Sequence, residues 1–438
     1  MRQNKGTFSY ILINIIATVL YVLEYKYVYE NFVIGQYAYS NLTYNPVGNT
    51  FLLVLVCTLP ILLYKGLNNI STSLSFFIYL FVYIPLVVTC FLADFPVETR
   101  VSIVLVFLVV MFFVFLTDKY SIGRHLFSLN NKPWSFRAFE TLVWFLFVID
   151  VFINRGSLTF VNFLSEGNDL YDLRLSQGVE GLGRVFVYLT LWLSHAFIPI
   201  LFVCYYIEKK YIKLAFSFIA FVIMFMLDKQ KITFVVPFAM IGMLVLIDRF
   251  KAYFTKYFHI LVMSLLALSS IFTYEYTQKA DNAFVSQSLA ILVIIRTQCI
   301  AGEQLDRYVR FFEVEDNPYT YYSHINVVND ITGMYPYKES IGQVVAGDGS
   351  NSNASFFLMD GIAAAGNIGV ILITVLFVLL KMLLNSISRR YNSSYLMVIL
   401  FFAIFSMVNT SLFTSILSFG ILAVFISLLL FKFPMLEK

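Results

Sequence analysis

The stretch LAFSFIAFVIMFMLDKQKITFVVPFAMIGMLVLIDRF, residues 214–250, decides the class of the fold. Two apolar runs flank the charged tetrapeptide DKQK, which holds Asp228, Lys229 and Lys231. Each run has roughly 14 to 16 residues, and a membrane-crossing helix needs roughly 20 unless the bilayer thins around it. The pattern therefore predicts a short helical hairpin in a membrane, with DKQK as its recessed turn.

The same apolar character extends over the whole chain. Of its 438 residues, 60% are hydrophobic and only 13% are charged, a balance that excludes an ordinary soluble domain. Apolar windows predict an all-α, polytopic membrane protein with about twelve transmembrane helices in a single membrane domain, residues 1–438. The predicted spans lie near residues 7–23, 50–64, 74–93, 100–117, 138–153, 184–207, 214–227, 232–247, 259–274, 356–380, 395–409 and 414–431.

The distribution of Lys and Arg predicts the orientation of these spans. Short basic segments, such as MRQNK at the amino terminus and KFPMLEK at the carboxyl terminus, alternate with the spans. Because basic short loops stay in the cytoplasm, both termini are expected there. The long segments 24–49, 154–183 and 275–355 then face outward.

The outer loop 275–355, between the ninth and tenth spans, is long enough to suggest function. Its apolar run AFVSQSLAILVII, residues 283–295, is too short to span and predicts a helix at the interface or packed on the bundle. Arg296, Arg307 and Arg310 follow at spacings near whole helical turns, so one helix face would carry several positive charges.

Cations from separate parts of the chain fall at the predicted outer ends of helices. If the helices form one bundle, these groups converge and fit a polyanion whose other end lies in lipid. The alternative is that they reach toward lipid head groups. The candidates for binding a diphosphate are Arg174, Arg184, Lys229, Lys231 and Arg296.

Candidate proton acceptors also lie in or beside the large loop. His324, in TYYSHINVVND, suits general base catalysis near neutral pH. Asp348 and Asp360 are the rival bases, and Asp360 is costly inside a span unless it faces a wet cavity. The simpler interpretations are a histidine bonded within a folded loop and aspartates that form turns or cap helices.

Aromatic and amide side chains near His324 could bind sugars. Tyr321, Tyr322 and Asn351 are the predicted substrate-binding residues, although tyrosine is also common at membrane interfaces. The four cysteines indicate no disulfide framework or metal site, and no cofactor is expected. The net charge of +4 comes without a basic module for nucleic acid.

The chain resembles the bacterial O-antigen polymerases of the Wzy type, also called oligosaccharide repeat-unit polymerases. The resemblance lies in the order of the spans, in the large outer loop, and in four stretches of sequence. These are YDLRLSQGVEGLGRVFVYL at 171–189, KQKITFVVPFAMIGMLVL at 229–246, NSNASFFLMDGIAAAGNIGVILITVLF at 351–377 and NTSLFTSILSFGILAVF at 409–425.

This resemblance implies an all-helical membrane glycosyltransferase architecture of the GT-C type in the bacterial inner membrane. It implies transfer of a growing glycan from undecaprenyl diphosphate to another lipid-linked repeat unit at the periplasmic face, without a metal. The implied partners are undecaprenyl-diphosphate-linked glycans, membrane lipids and a chain-length regulator. The alternatives are an O-antigen ligase and a polysaccharide flippase or transporter. A flippase or transporter would be expected to have charged pairs near the bilayer midplane and discontinuous helices.

Overall fold

The computed structural model describes residues 2–33, 49–123, 134–159, 182–279, 282–347 and 351–437. Over these ranges the chain is helical, with no β-strand and with isolated bridges between Trp134 and Phe431 and between Tyr391 and Glu437. The fold is all-α, as the apolar pattern predicts. The chain divides into two compact units, each built from segments distant in sequence.

Unit 1 comprises the described residues within 1–119, 255–380 and 407–411. Its helical segments include π-helical turns, which hold one residue more than an α-helical turn. The helical segments of unit 1 are Arg2–Val28, Tyr29–Val33, Thr50–Thr58, Pro60–Leu63, Ile70–Ile78, Tyr79–Tyr83, Ile84–Leu92, Val97–Leu116, most of Tyr253–Lys279, Ala283–Ala290, Ile291–Cys299, Ile300–Val309, Arg310–Val314, Asn326–Thr332, Ile341–Ala346, Phe357–Ile362 and most of Ala363–Ile387.

The segment Ile70–Leu92 is the most enclosed helix of unit 1. The Tyr79 hydroxyl donates to the Cys57 carbonyl at 2.8 Å, which ties this helix to Thr50–Thr58. On another side it packs against Gly302, where a Cβ atom would lie 2.1 Å from the Thr89 hydroxyl. Glycine is required at 302 because the two helices approach this closely.

Unit 2 comprises the described residues within 120–254, 381–406 and 412–438. Its helical segments are Phe136–Ile153, Arg155–Ser157, Leu182–Trp192, Leu193–Phe197, Ile198–Ile207, Tyr211–Asp228, Lys231–Phe250, Ser393–Ile399, Phe401–Ser406, Leu412–Leu417, Ile421–Leu430 and Pro434–Leu436. The Glu140 carboxylate accepts from the Tyr205 hydroxyl at 2.7 Å, an interaction between helices of this unit.

Ten helices in the described part of the chain are long and apolar enough to cross a membrane, so the protein is a multi-pass membrane protein. They are Tyr10–Phe32, Ile70–Leu92, Val97–Leu116, Phe186–Ile207, Tyr211–Asp228, Lys231–Phe250, Tyr253–Lys279, Ser288–Val314, Phe357–Ile387 and Leu412–Leu430.

Four segments account for the difference from the predicted twelve. Thr50–Leu63 is apolar but shorter than the ten, and Phe136–Ile153 carries three charged residues. The predicted span 395–409 folds as two short helices, Ser393–Ile399 and Phe401–Ser406. In contrast, the predicted loop 275–355 contains Ser288–Val314, because the apolar run from 283 continues as one long helical segment.

Candidate functional site

The segment Phe357–Ile387, whose residues up to Leu380 lie in unit 1, turns back on itself. Its backbone leaves the helical region at Ala365 and Gly366, and Gly366 has a φ of 55°. The rings of Phe356 and Phe377 have centroids 5.0 Å apart. At a rise of about 1.5 Å per residue, a straight helix would separate these residues by about 30 Å. The predicted span is therefore a hairpin of a short first arm and a longer second arm.

Small residues allow the two arms to touch. A Cβ atom at Gly369 would lie 2.1 Å from the Gly361 carbonyl oxygen, and one at Gly361 would lie 3.0 Å from the side chain of Val370. The glycines that interrupt this stretch of sequence thus serve backbone-to-backbone packing in an apolar surrounding.

A loop closes the end of the first arm. The Thr320 backbone N–H donates to the Ala363 carbonyl at 2.8 Å, and the Tyr321 N–H donates to the Ala364 carbonyl at 3.0 Å. These bonds satisfy carbonyls that a helix end leaves without partners. The loop that carries His324 is thereby attached to the reversal of the hairpin.

His324 and Asp360, two of the predicted bases, meet at this place. His324 Nε2 lies 3.0 Å from Asp360 Oδ1, and their side chains are 6% and 0% exposed. The Ser411 hydroxyl donates to Asp360 Oδ2 at 3.0 Å. Thr320 Oγ1 lies 2.8 Å from His324 Nδ1. The buried carboxylate of Asp360 thus has hydrogen-bond partners, which offset the cost of an aspartate inside a span as a wet cavity would.

This network occupies both ring nitrogens of His324. Nε2 contacts the Asp360 carboxylate, and Nδ1 contacts the Thr320 hydroxyl, which also donates to the Ala363 carbonyl at 3.0 Å. A general base needs a nitrogen within reach of the substrate hydroxyl. His324 would therefore have to give up one of these bonds before it could accept a proton from a substrate.

A second acid lies at the reversal itself. The Tyr319 hydroxyl donates to Glu313 Oε1 at 3.0 Å, and both side chains are half-buried. A Cβ atom at Gly366 would lie 2.6 Å from that same oxygen. Burial and the Glu313 charge raise the pKa of Tyr319, so the phenol remains a donor at physiological pH. Glu313 therefore presents a carboxylate at the surface of the hairpin reversal.

Arg100 is a buried cation at the start of the helix Val97–Leu116. Its Nη2 donates to the carbonyls of Ala93 and Phe95 at 3.0 and 3.2 Å. The Nε and Nη1 atoms are shielded and make no hydrogen bond, and among the described residues no ion pair includes Arg100, which is 6% exposed. A buried charge without an ion-pair partner is expensive, so this guanidinium is suited to an anionic ligand.

Two other arginines of unit 1 are paired along their own helix. Arg307 lies 3.4 Å from Glu303, and Arg310 Nε lies 2.9 Å from Asp306. The expected positive face is thus a row of alternating charges, because each arginine follows an acid by four residues. Arg310 Nη2 also donates to the Asp94 carbonyl at 3.2 Å, so Arg310 and Arg100 bind the same turn.

Ser102 links this end of Val97–Leu116 to the hairpin. The Asn367 amide donates to the Ser102 hydroxyl at 2.7 Å, immediately after the reversal at Gly366. Arg100 therefore belongs to the same region of unit 1 as the reversal that carries Glu313.

The predicted substrate-binding residues have different surroundings. Tyr321 is 66% exposed, while the Tyr322 hydroxyl donates to the Gly369 carbonyl at 3.4 Å. Burial and the Asp360 charge raise the pKa of Tyr322 to about 12. Asn351 Oδ1 would lie 2.0 Å from a Cβ atom at Gly342, so its side chain lies against that backbone. Of the three, Tyr321 is the one open to a ligand.

The DKQK turn belongs to unit 2. Asp228 Oδ1 accepts from the Gln230 N–H at 2.8 Å, and Oδ2 accepts from the Thr233 hydroxyl at 2.6 Å. Lys229 has a left-handed φ of 54°, is 3% exposed, and its Nζ donates to the Ser157 carbonyl at 3.4 Å. Lys231 begins the next helix and is half-buried. These interactions explain the tetrapeptide as the turn of a helical hairpin.

The remaining candidates lie wholly or partly outside the residues that the structure describes. Arg174 and Asp348 lie outside the described residues. The backbones of Arg184 and Arg296 lie in helices, and their side chains are outside the described part. Their predicted roles stay predictions.

Sequence reasoning missed Arg100, Glu313 and the hydroxyl partners of the histidine and aspartate. A signal existed for Arg100, because a charged residue in the first turn of an apolar span is costly unless it has a purpose. Glu313 lacked such a signal, since it lies in the acidic run EVED that reads as a solvated surface.

Comparison with models of protein families, with curated proteins and with solved structures finds no match to this chain.

Proposed function

We propose that the protein polymerises undecaprenyl-diphosphate-linked oligosaccharide repeat units at the periplasmic face of the bacterial inner membrane. In this proposal it is a metal-independent glycosyltransferase of GT-C architecture with both termini in the cytoplasm, and it releases undecaprenyl diphosphate. The resemblance described above suggests the activity. The structural observation that supports this activity is the buried guanidinium of Arg100, which has no ion-pair partner among the described residues.

The chemistry of glycosyl transfer explains why Arg100 matters. Cleavage of the bond between sugar and diphosphate leaves negative charge on the departing oxygen. Charge-assisted hydrogen bonds from a guanidinium fit phosphate oxygens, and they are strongest where water is excluded. Arg100, whose buried Nε and Nη1 atoms make no hydrogen bond, provides this environment beside Arg310. The diphosphate-binding roles predicted from the sequence for Arg174, Arg184, Lys229, Lys231 and Arg296 are proposed separately from that of Arg100.

The acceptor sugar must lose a hydroxyl proton in the same reaction. Glu313 is suited to accept this proton, because its Oε1 is oriented by Tyr319 and the side chain is half-exposed. In this scheme His324 and Asp360 hold the loop against the hairpin, and the exposed ring of Tyr321 stacks on a sugar. The role of His324 as the base is the competing assignment.

Substitution of Arg100 tests the proposal in a strain whose chromosomal copy is deleted. Arg100→Gln should lower the yield of long glycans by about 100-fold, since removal of one charge-stabilising donor commonly costs that factor. Arg100→Lys keeps the charge without the planar fork and should retain part of the activity. The readout is the ladder of surface glycan lengths, with membrane levels of each variant measured in parallel.

Arg249→Gln is the matched control, because Arg249 is exposed. It should give a ladder of wild-type length. A wild-type ladder from Arg100→Gln at normal membrane levels would remove Arg100 from the diphosphate site and, with it, the observation that supports this function.

Transport of the lipid-linked glycan is the second candidate. Discontinuous helices with buried charged groups are typical of transporters, and the break at Ala365 and Gly366 beside the His324–Asp360 pair has these features. The deletion strain separates the two functions. Loss of a polymerase leaves single repeat units on the outer-membrane core, whereas loss of a flippase leaves none there.

A further inference from the structure

The helix Arg2–Val28 of unit 1 carries polar side chains into the membrane-embedded part of the unit. Tyr25 and Tyr21 are 1% and 2% exposed, and the Tyr25 hydroxyl donates to the backbone carbonyl of Gln298 at 3.1 Å. Gln298 lies in the π-helical segment Ile291–Cys299 and is 1% exposed. π-helical turns often accompany functional sites, because the extra residue redirects a side chain.

Several polar atoms at this contact have no hydrogen-bond partner. Both carboxylate oxygens of Glu24 are shielded from solvent and unbonded in the described part of the chain, and there the Tyr21 hydroxyl and the Gln298 amide lie beside each other without a hydrogen bond of good geometry. Glu24 is close enough to act electrostatically on the Tyr21 hydroxyl and on the Cys299 thiol. Buried polar groups in native proteins are nearly always hydrogen-bonded, so this cluster requires an explanation.

The other acids near this contact have balanced charges. Glu303, which also acts on Cys299, is paired with Arg307 at 3.4 Å, and Asp306 is paired with Arg310 at 2.9 Å. Glu30, further along the same helix as Glu24, lies 3.0 Å from Lys26. Glu24 has no counterpart of this kind among the described side chains. An ionised carboxylate in an apolar surrounding must be neutralised by a bound positive charge.

We infer that Glu24, Gln298 and Tyr21 form a binding site for one alkali cation within unit 1. The available ligand atoms are oxygens, which hard cations prefer. A single carboxylate balances one positive charge, which favours a monovalent ion over a divalent one. A proton on Glu24 would satisfy one carboxylate oxygen only. A metal cation would accept lone pairs from the second carboxylate oxygen, the Gln298 amide oxygen and the Tyr21 hydroxyl as well.

Thermal unfolding of the purified full-length protein tests this inference. Samples in lipid nanodiscs are compared in NaCl, KCl and choline chloride at equal concentration and pH. Because a ligand that binds only the folded state stabilises it, the unfolding midpoint should rise by a few degrees in NaCl or KCl relative to choline. Equal midpoints in the three salts would overturn the site.

Two variants assign the effect to this place in the fold. Glu24→Gln removes the charge with little change of shape, and its unfolding midpoint should be the same in all three salts. Glu275→Gln is the matched control, since Glu275 is an exposed acid paired with Lys279 on another helix of unit 1, and it should keep the wild-type response. A Glu24→Gln variant that still responds to the alkali salts would place the bound ion elsewhere.

Infrared spectroscopy of the wild-type protein keeps the test independent of how well Glu24→Gln folds. Addition of the alkali salt to protein in choline chloride should remove the carbonyl band of one protonated carboxylic acid, because the cation replaces the proton on Glu24. A band that persists unchanged at saturating NaCl and KCl would contradict the proposal.

Discussion

A histidine lies beside an aspartate in each unit, and the two neighbourhoods differ. In unit 1, His324 Nε2 is 3.0 Å from Asp360, and the ring and the carboxylate each have a hydroxyl partner. In unit 2, His195 Nε2 is 3.8 Å from Asp228 and makes no hydrogen bond. The same two residue types therefore form a bonded network in one place and a loose contact in the other.

The reason lies in what else each residue does. The His195 ring stacks on Phe402 with centroids 3.7 Å apart, and its Nδ1 is 3.1 Å from the Ser418 carbonyl. Asp228 is bonded to its own turn through Gln230 and Thr233. Its role is local, whereas Asp360 connects a loop, a hairpin and the segment that holds Ser411. An aspartate next to a histidine thus indicates a hydrogen-bonded pair only when neither side chain is already held by other hydrogen bonds or by ring stacking.

The largest effect of substitution is expected at Asp360. Asp360→Ala leaves the imidazole of His324 and the hydroxyl of Ser411 buried without their shared acceptor. Loss of one partner of a buried pair costs about 3–5 kcal/mol of unfolding free energy. Denaturant unfolding of the purified protein and its level in the membrane measure this loss.

Asp330→Ala is the control for Asp360→Ala, because Asp330 is exposed on the short helix Asn326–Thr332 that follows His324. It should change the unfolding free energy by less than about 0.5 kcal/mol. If Asp360→Ala changed the unfolding free energy as little as this control, the hydrogen-bonded network around His324 and Asp360 would contribute little to stability.

Gly366→Ala should have an intermediate effect, because it disturbs the hairpin that holds Asp360 in place. The Gly366 φ of 55° suits glycine, and an added Cβ atom would lie 2.6 Å from Glu313 Oε1. Strain of this kind costs about 1–3 kcal/mol, which unfolding experiments can resolve.

Gly242→Ala is the matched control for the hairpin glycine. It lies in the helix Lys231–Phe250 of unit 2, and no atom lies within 4 Å of an added Cβ. Alanine should stabilise that helix by up to about 1 kcal/mol. A loss at Gly366 no larger than the change at Gly242 would show that the reversal tolerates a side chain.

The smallest effect is expected at Asp228, the aspartate with the local role. Asp228→Ala removes the acceptor for the Gln230 N–H and the Thr233 hydroxyl, which should cost about 1 kcal/mol, as loss of a helix cap does. Asp228→Asn keeps one acceptor oxygen and should retain most of the stability in the same unfolding assay. Equal losses from both variants would instead indicate that the charge of Asp228 interacts with His195.

The class of the fold and many of its elements could be predicted from the sequence. The apolar windows near 100–117 and 214–227 correspond to the helices Val97–Leu116 and Tyr211–Asp228. The predicted spans and the ten long apolar helices differ where the apolar helix is short, as at Thr50–Leu63, and where an apolar run continues into a charged helix, as at Ser288–Val314. In that helix the charges at Arg307 and Arg310 are balanced by acids four residues earlier, which a count of apolar residues does not register.

The candidate site was predicted in part. His324 and Asp360 were both selected as titratable groups, one from the loop and one from a span, but their contact follows from a reversal at Gly366 that a hydropathy pattern cannot locate. The sequence signal at Arg100 was not specific, because a single charge at a span boundary usually reaches toward lipid head groups. Only its burial and its two unbonded nitrogen atoms distinguish it from that case.

The sequence by itself determined that the chain is a helical, multi-pass membrane protein, because apolar content over helical lengths leaves few other ways to satisfy the backbone in lipid. The tertiary structure decided which polar residues have partners. His324, Asp360, Arg100 and Glu24 are all ionisable residues in or beside apolar stretches, and nothing in their sequence context separates the bonded ones from the unbonded ones. Hydrogen bonding and ion pairing depend on distances of a few ångströms between segments far apart in the chain, and those distances exist only once the helices have packed.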